Sequence, residues 1–148
     1  MIQGNRGADQ NFCWYHLLYQ RCTKEDVRGD QLVIARIKYD SASVNWCKYS
    51  KPWDVIFDHA GWGIVQHMVG NLPQGLPKET PVGTRQKDMP KNQSYRTVHV
   101  PLTNNYAHSE LQAFHDDGTR PARVGELIKK EYRALIAQHG VIILRPSV

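Results

Sequence analysis

Two short stretches, Tyr95–Leu102 (YRTVHVPL) and Ala107–Phe114 (AHSELQAF), are separated by only four residues, Thr103-Asn104-Asn105-Tyr106. Both alternate in side-chain character with the period of a half-buried strand. A four-residue link joins strands as an antiparallel hairpin, and its paired asparagines tolerate the backbone conformations such a turn needs. With that link Leu102 faces Ala107, Val100 faces Ser109 and Val98 faces Leu111, which makes an apolar, inward side of Val98, Val100, Leu102 and Leu111. On the other side His99 faces Glu110, Pro101 faces His108 and Thr97 faces Gln112. The reading depends on the turn, because a slip of one residue moves His108 and Glu110 to the opposite face.

The rest of the chain supplies partners for this hairpin. Asn11–Cys22 is dense in aromatic and aliphatic residues, with Phe12, Tyr15 or His16, and Tyr19 at helical spacing; a short buried helix is expected, with an extended conformation as the alternative. Gln31–Lys38 and Gly61–Gly70 read as strands, and Asn45–Pro52 as a loop. Asn71 to Asn92 carries Pro73, Pro77, Pro81 and Pro90, and a structureless stretch of that length is expected to be a lid or binding loop. Thr119 can cap a helix that starts near Pro121. Val124, Leu127, Ile128, Leu135 and Ile136 form one apolar face, Gly140 ends the helix, and Val141–Leu144 follows as a final buried strand. Residues 121–139 are thus the longest helix expected. The pattern is α+β: one domain over 1–148, a mostly antiparallel sheet, a long C-terminal helix and a last strand.

Composition narrows the partners. A chain of 148 residues with 41% hydrophobic and 22% charged residues is of single-domain size and globular composition. No apolar run approaches the roughly 18 residues of a membrane span. Met1 to Asp9 lacks the apolar core of a secretory signal. Cys13, Cys22 and Cys47 form no C-x-x-C pair, so reduced thiols and a cytoplasmic setting are expected. The net charge is +5, and most of the excess lies after Thr119. Lys129, Lys130 and Arg133 on the expected helix are candidate phosphate contacts, which makes RNA the expected partner class.

The polar side of the hairpin carries the chemistry. A histidine beside a carboxylate is oriented and made more basic, and a second histidine can serve as the acid. His99, His108 and Glu110 would then be the catalytic group of a metal-independent ribonuclease, acting in toxin or anti-phage conflict, with no cofactor. The same three residues, with His115 or Asp117 nearby, are also an acceptable set of metal ligands. Sharper motifs fail: His108-Ser109-Glu110 lacks the P-C-x-x-C of zinc deaminases. Asp58-His59 ahead of Gly61-Trp62-Gly63 lacks the helix and second ligand of a metal-finger nuclease. The rival expectation is a non-enzymatic module that binds protein or nucleic acid through its basic C-terminal helix.

Asn45–Val55 (NWCKYSKPWDV) and Val98–Glu110 (VHVPLTNNYAHSE) resemble segments shared by a group of small uncharacterised bacterial proteins, N-x-x-K-Y-S-x-P-x-D-V and V-x-H-x-P-L-x-x-N-Y-A-H-S-E, the first Val of the second pattern falling on Thr97 here. The resemblance implies a bacterial cytoplasmic origin and carries no activity over. It draws attention to Asn105, Tyr49, Ser50 and Asp54 as substrate-binding candidates beside the histidines.

Overall fold

Alternation along the central strands decides how this chain folds, because it gives the sheet one apolar face that must be buried. The computed structural model describes residues 7–37, 41–72, 93–115 and 130–148. The order along the chain is β1 (Leu17–Cys22), β2 (Val27–Arg28), β3 (Gln31–Leu32), β4 (Ser41–Trp46), β5 (Gly63–Met68), β6 (Gln93–His99), β7 (His108–His115), α1 (Lys130–His139) and β8 (Val141–Leu144), with short 3-10 turns between several of them. Six strands make one sheet in the order β6-β7-β4-β1-β5-β8, every neighbour antiparallel. The remaining two, β2 and β3, form a small hairpin, turned at Gly29, whose φ of 62° is the left-handed backbone that glycine adopts without strain. The architecture is α+β: an open, antiparallel sheet with one helix near the C-terminus and a final strand after it.

One face of the sheet is the main core. Leu18, Ala42, Val44, Trp46, Val65 and Leu111 are all buried there, and α1 lays Ile136 and Ala137 over them. Leu32, Ile37, Val69 and Leu72 close the sides. The opposite face is covered only in part. Tyr19 and Ile64 pack there against Val55, which belongs to the 3-10 segment Pro52–Ile56. Among the described residues nothing beyond that segment covers the second face.

Four expectations are corrected. Asn11–Cys22 ends in β1, not in a helix, because a central strand covered on both faces shows an apolar run without clean alternation. Gln31–Lys38 is a strand only over Gln31–Leu32; the chain then turns through Ile34–Arg36. Asn45 and Trp46 belong to β4 rather than to a loop. Val141–Leu144 is a strand but not a buried one: it pairs with β5 alone at the sheet edge, leaving Val141, Ile143 and Leu144 exposed. Of the expected lid over 71–92, residues 71 and 72 end a 3-10 turn and its margin, and the rest, like the helix start near Pro121 and Lys129, lies outside the described residues. No helix among the described residues is long and apolar enough to cross a membrane.

The expected hairpin is present, with a different register. β6 pairs with β7 through His99↔Ser109, Val98↔Glu110 and Thr97↔Leu111, a shift of one residue. The cause is the turn. Leu102 and Asn105 bond to each other in both directions at 3.1 Å, closing a two-residue loop, and Val100 N–H then reaches the His108 carbonyl at 3.0 Å. Two residues on one side of the turn therefore oppose three on the other. The extra residue falls in the Tyr106–Ala107 stretch, both members of which are buried, so the slip acts as a bulge that lets them pack inward.

Candidate functional site

The register shift separates the expected catalytic group. His99 now shares the core face with Ser109 and Leu111, whereas His108 and Glu110 point to the other face. His99 is 2% exposed, and both of its ring nitrogens are engaged. Asp9 N–H donates to Nδ1 at 2.7 Å, which leaves Nε2 as the protonated nitrogen, donating to the Tyr106 carbonyl at 2.5 Å. The ring also sits among Trp46, Tyr49 and Tyr106. His99, expected as a catalytic residue on the polar side, is a structural one in the core. His99 is therefore on the wrong face to join His108 and Glu110 as one catalytic group or one metal set.

The same core region holds the N-terminal segment in place. The Gln10 side chain bonds the backbone of His99 at both N and O, covering the outer edge of β6 as another strand would. The Asp9 carboxylate accepts bonds from Lys48 Nζ at 2.6 Å and Tyr49 OH at 2.5 Å. Burial pushes its pKa up, but those two bonds and the Lys48 charge outweigh it and hold the carboxyl well below the usual range. Tyr49 is shifted up in turn, first by its bond to Asp9 and then by burial.

On the open face of the sheet lies a cleft of about 590 Å³, within the size range of small-ligand sites. Its floor is built by the strand ladders. β4 places Ser43 and Asn45 on this face and β7 places His108 beside them, because Asn45 pairs with His108 and Ser43 with Glu110. β1 contributes Arg21. One wall is the Pro52–Ile56 segment and the residues after it, with Asp54, Phe57, Asp58 and His59; the other is the turn from Leu102 to Ala107.

His108 has the geometry of a working base. Its Nδ1 lies 2.8 Å from the Val100 carbonyl, which can only accept, so Nδ1 carries the proton. Nε2 is left with its lone pair directed to Ser43 Oγ at 3.3 Å. Asn105 Nδ2 donates to Asn45 Oδ1 at 2.8 Å, tying the turn to the floor. Next to the cleft residues His59 and Arg21, the Trp62 ring meets His59 edge-on at 5.0 Å, and the Arg21 guanidinium lies 5.8 Å from its centroid.

The structure brings five of the expected residues together, since Tyr49, Ser50, Asp54, Asn105 and His108 all line this cleft. All five are held by hydrogen bonds: besides those of Tyr49, Asn105 and His108 given above, Asp54 accepts from Lys51 N–H at 2.8 Å and Ser50 Oγ donates to the Trp46 carbonyl at 3.3 Å. Glu110 shares the face of His108, opposite Ser43, and accepts from Gln112 Nε2 at 2.9 Å, outside the cleft lining. Of the basic helix residues, Lys130 begins α1. Arg133 is partly buried, and its Nε has no hydrogen-bond partner among the described residues. Sequence reasoning missed Ser43, Asn45 and Arg21, and it set His59 aside with the failed metal-finger motif. The alternation Ala42, Val44, Trp46 was the available signal for the first two, hidden by reading Asn45 as the start of a loop.

Among the described residues no three His, Cys, Asp or Glu side chains converge to hold a metal ion. Comparison of the chain with protein-family models, characterised proteins and solved structures finds no match.

Proposed function

We propose that the open-face cleft is the working site and that the protein is a metal-independent ribonuclease in which His108 is the general base. The observation that carries this reading is the fixed His108 tautomer: a backbone carbonyl holds Nδ1–H, and the bare Nε2 faces a hydroxyl. RNA cleavage asks for such a nitrogen to take the 2′-hydroxyl proton. It also needs an acid for the leaving oxygen and a cation for the phosphate charge. His59 and Arg21 line the same cleft and fill those two roles; the net charge of +5 favours a polyanion. A role in toxin or anti-phage conflict would follow from unspecific RNA cleavage.

The test is incubation of labelled single-stranded RNA with the protein in EDTA. Cleavage that falls by about 10²–10⁴-fold in His108→Ala and in His59→Ala supports the reading. Cleavage that needs added divalent metal, or that survives in His108→Ala, refutes it.

One observation favours the second reading, a binding module. Among the described residues β8 is the outermost strand and exposes Val141, Ile143 and Leu144, and an unpaired apolar edge is a template for another chain. A protein partner captured at moderate salt and lost on Ile143→Lys, with no RNA cleavage, would favour that reading.

A further inference from the structure

We propose that Ser43 is a covalent nucleophile and that the cleft hydrolyses a small carboxylic ester, an activity separate from RNA cleavage. A hydroxyl already occupies the position that a base would act on. Ser43 Oγ lies 3.3 Å from His108 Nε2, and the other ring nitrogen is anchored on the Val100 carbonyl at 2.8 Å. This is the nucleophile, base and orienting acceptor of a hydrolase, with a backbone carbonyl where a carboxylate often stands. The sheet supplies the alignment. Ser43 and Asn45 share one face of β4, roughly 7 Å apart along the strand, and His108 pairs directly with Asn45 across the ladder.

Asn45 completes the set. Its Oδ1 accepts from Asn105 Nδ2 at 2.8 Å, which fixes the orientation of the amide and assigns its donor, Nδ2, to the remaining side. Asn45 lines the cleft while being only 4% exposed. A buried, pre-oriented side-chain amide beside a nucleophile is suited to an acyl oxyanion. Asn105 acts through Asn45 and is a positioning residue.

The steps balance. Ser43 Oγ attacks the ester carbonyl carbon as His108 Nε2 takes the hydroxyl proton. The tetrahedral intermediate collapses, the carbon–oxygen bond to the alcohol breaks, and His108 returns the proton to the leaving oxygen. Water then attacks the acyl-serine, giving its proton to His108, and Ser43 Oγ leaves and recovers that proton. The net reaction converts ester and water to acid and alcohol.

The experiment uses the full chain and two probes. An alkyl fluorophosphonate should form a single adduct on Ser43, with loss of fluoride, seen by intact mass and peptide mapping. p-Nitrophenyl acetate should release p-nitrophenol in a burst that matches the protein concentration. Ser43→Ala replaces an exposed side chain, so its thermal midpoint should stay unchanged while adduct and burst disappear. His108→Gln should slow labelling by about 10²-fold or more, and Asn45→Ala should slow the acylation rate by about 10²–10³-fold. An unlabelled native protein, an adduct on another residue, a labelling rate unchanged in His108→Gln, or no burst overturns the proposal. These outcomes do not depend on whether the protein cleaves RNA.

Discussion

His99 and His108 sit on paired strands of one hairpin, yet their rings leave the sheet on opposite faces: His99 pairs with Ser109 over the core, and His108 pairs with Asn45 over the open cleft. A single extra residue near Tyr106 makes the difference. One histidine thereby holds the fold together, and the other is available for chemistry.

His99→Ala should cost stability rather than define activity. It removes the acceptor of Asp9 N–H and the donor to the buried Tyr106 carbonyl, and it empties space against Trp46 and Tyr49. A loss of about 2–4 kcal/mol is expected from urea unfolding. A loss under about 0.5 kcal/mol, the scale of a surface substitution, would show that the ring is not held as described.

Acid should reveal His67. Its ring is fully buried in the core, with Nε2 donating to Gln20 Oε1 at 2.9 Å and Nδ1 without a partner among the described residues, and burial pushes its pKa from 6.5 down to about 4. The folded value lies below the unfolded one, so this group's contribution is complete above about pH 6.5 and is lost as pH falls toward 4. The loss is on the order of 3 kcal/mol. Urea midpoints at pH 7 and pH 4.5 should differ markedly in the native protein and much less in His67→Phe. An equal drop in both proteins would assign the acid sensitivity elsewhere.

Asp9 should act in a lower window. Its carboxyl is held below the ordinary value of 3.8, so the stability it contributes is present above that value and lost as pH falls below it. Asp9→Asn should lower the thermal midpoint at pH 7 and reduce the further loss below about pH 4. An unchanged midpoint at pH 7 would mean that the bonds from Lys48 and Tyr49 do not secure the N-terminal segment.

Gly63→Ala should loosen the C-terminal edge. A Cβ at Gly63 would collide with the Leu144 carbonyl oxygen and would lie 2.6 Å from the Pro146 nitrogen, backbone groups that cannot step aside without moving β8. Overpacking of this kind costs about 1–3 kcal/mol. Hydrogen exchange should quicken at Val141–Leu144 first; exchange unchanged there would contradict the close approach.

Much of this fold was legible in the sequence, for local reasons. The hairpin followed from alternation and a short link, and β5 from an apolar run between glycines. The end of α1 followed from Gly140. The register was not legible, because Thr103–Tyr106 fits a four-residue turn as well as a two-residue turn with a bulge, and only the packing of Tyr106 and Ala107 decides between them. β1 was ambiguous because it is covered on both faces. The site was half legible. Tyr49, Ser50, Asp54, Asn105 and His108 come from separate segments that the sheet gathers around one cleft. Ser43 and Arg21 carry no local motif and become conspicuous only when the strand order sets them beside His108.

The division of labour between the two histidines can be measured directly by long-range proton–nitrogen NMR of the imidazole rings at neutral pH. Opposite tautomers are predicted: His108 protonated at Nδ1 with Nε2 bare, and His99 protonated at Nε2 with Nδ1 accepting from Asp9. His108 should respond to single-stranded RNA in EDTA, while His99 should not shift. The same tautomer in both rings, or an RNA response at His99 with none at His108, would contradict the account.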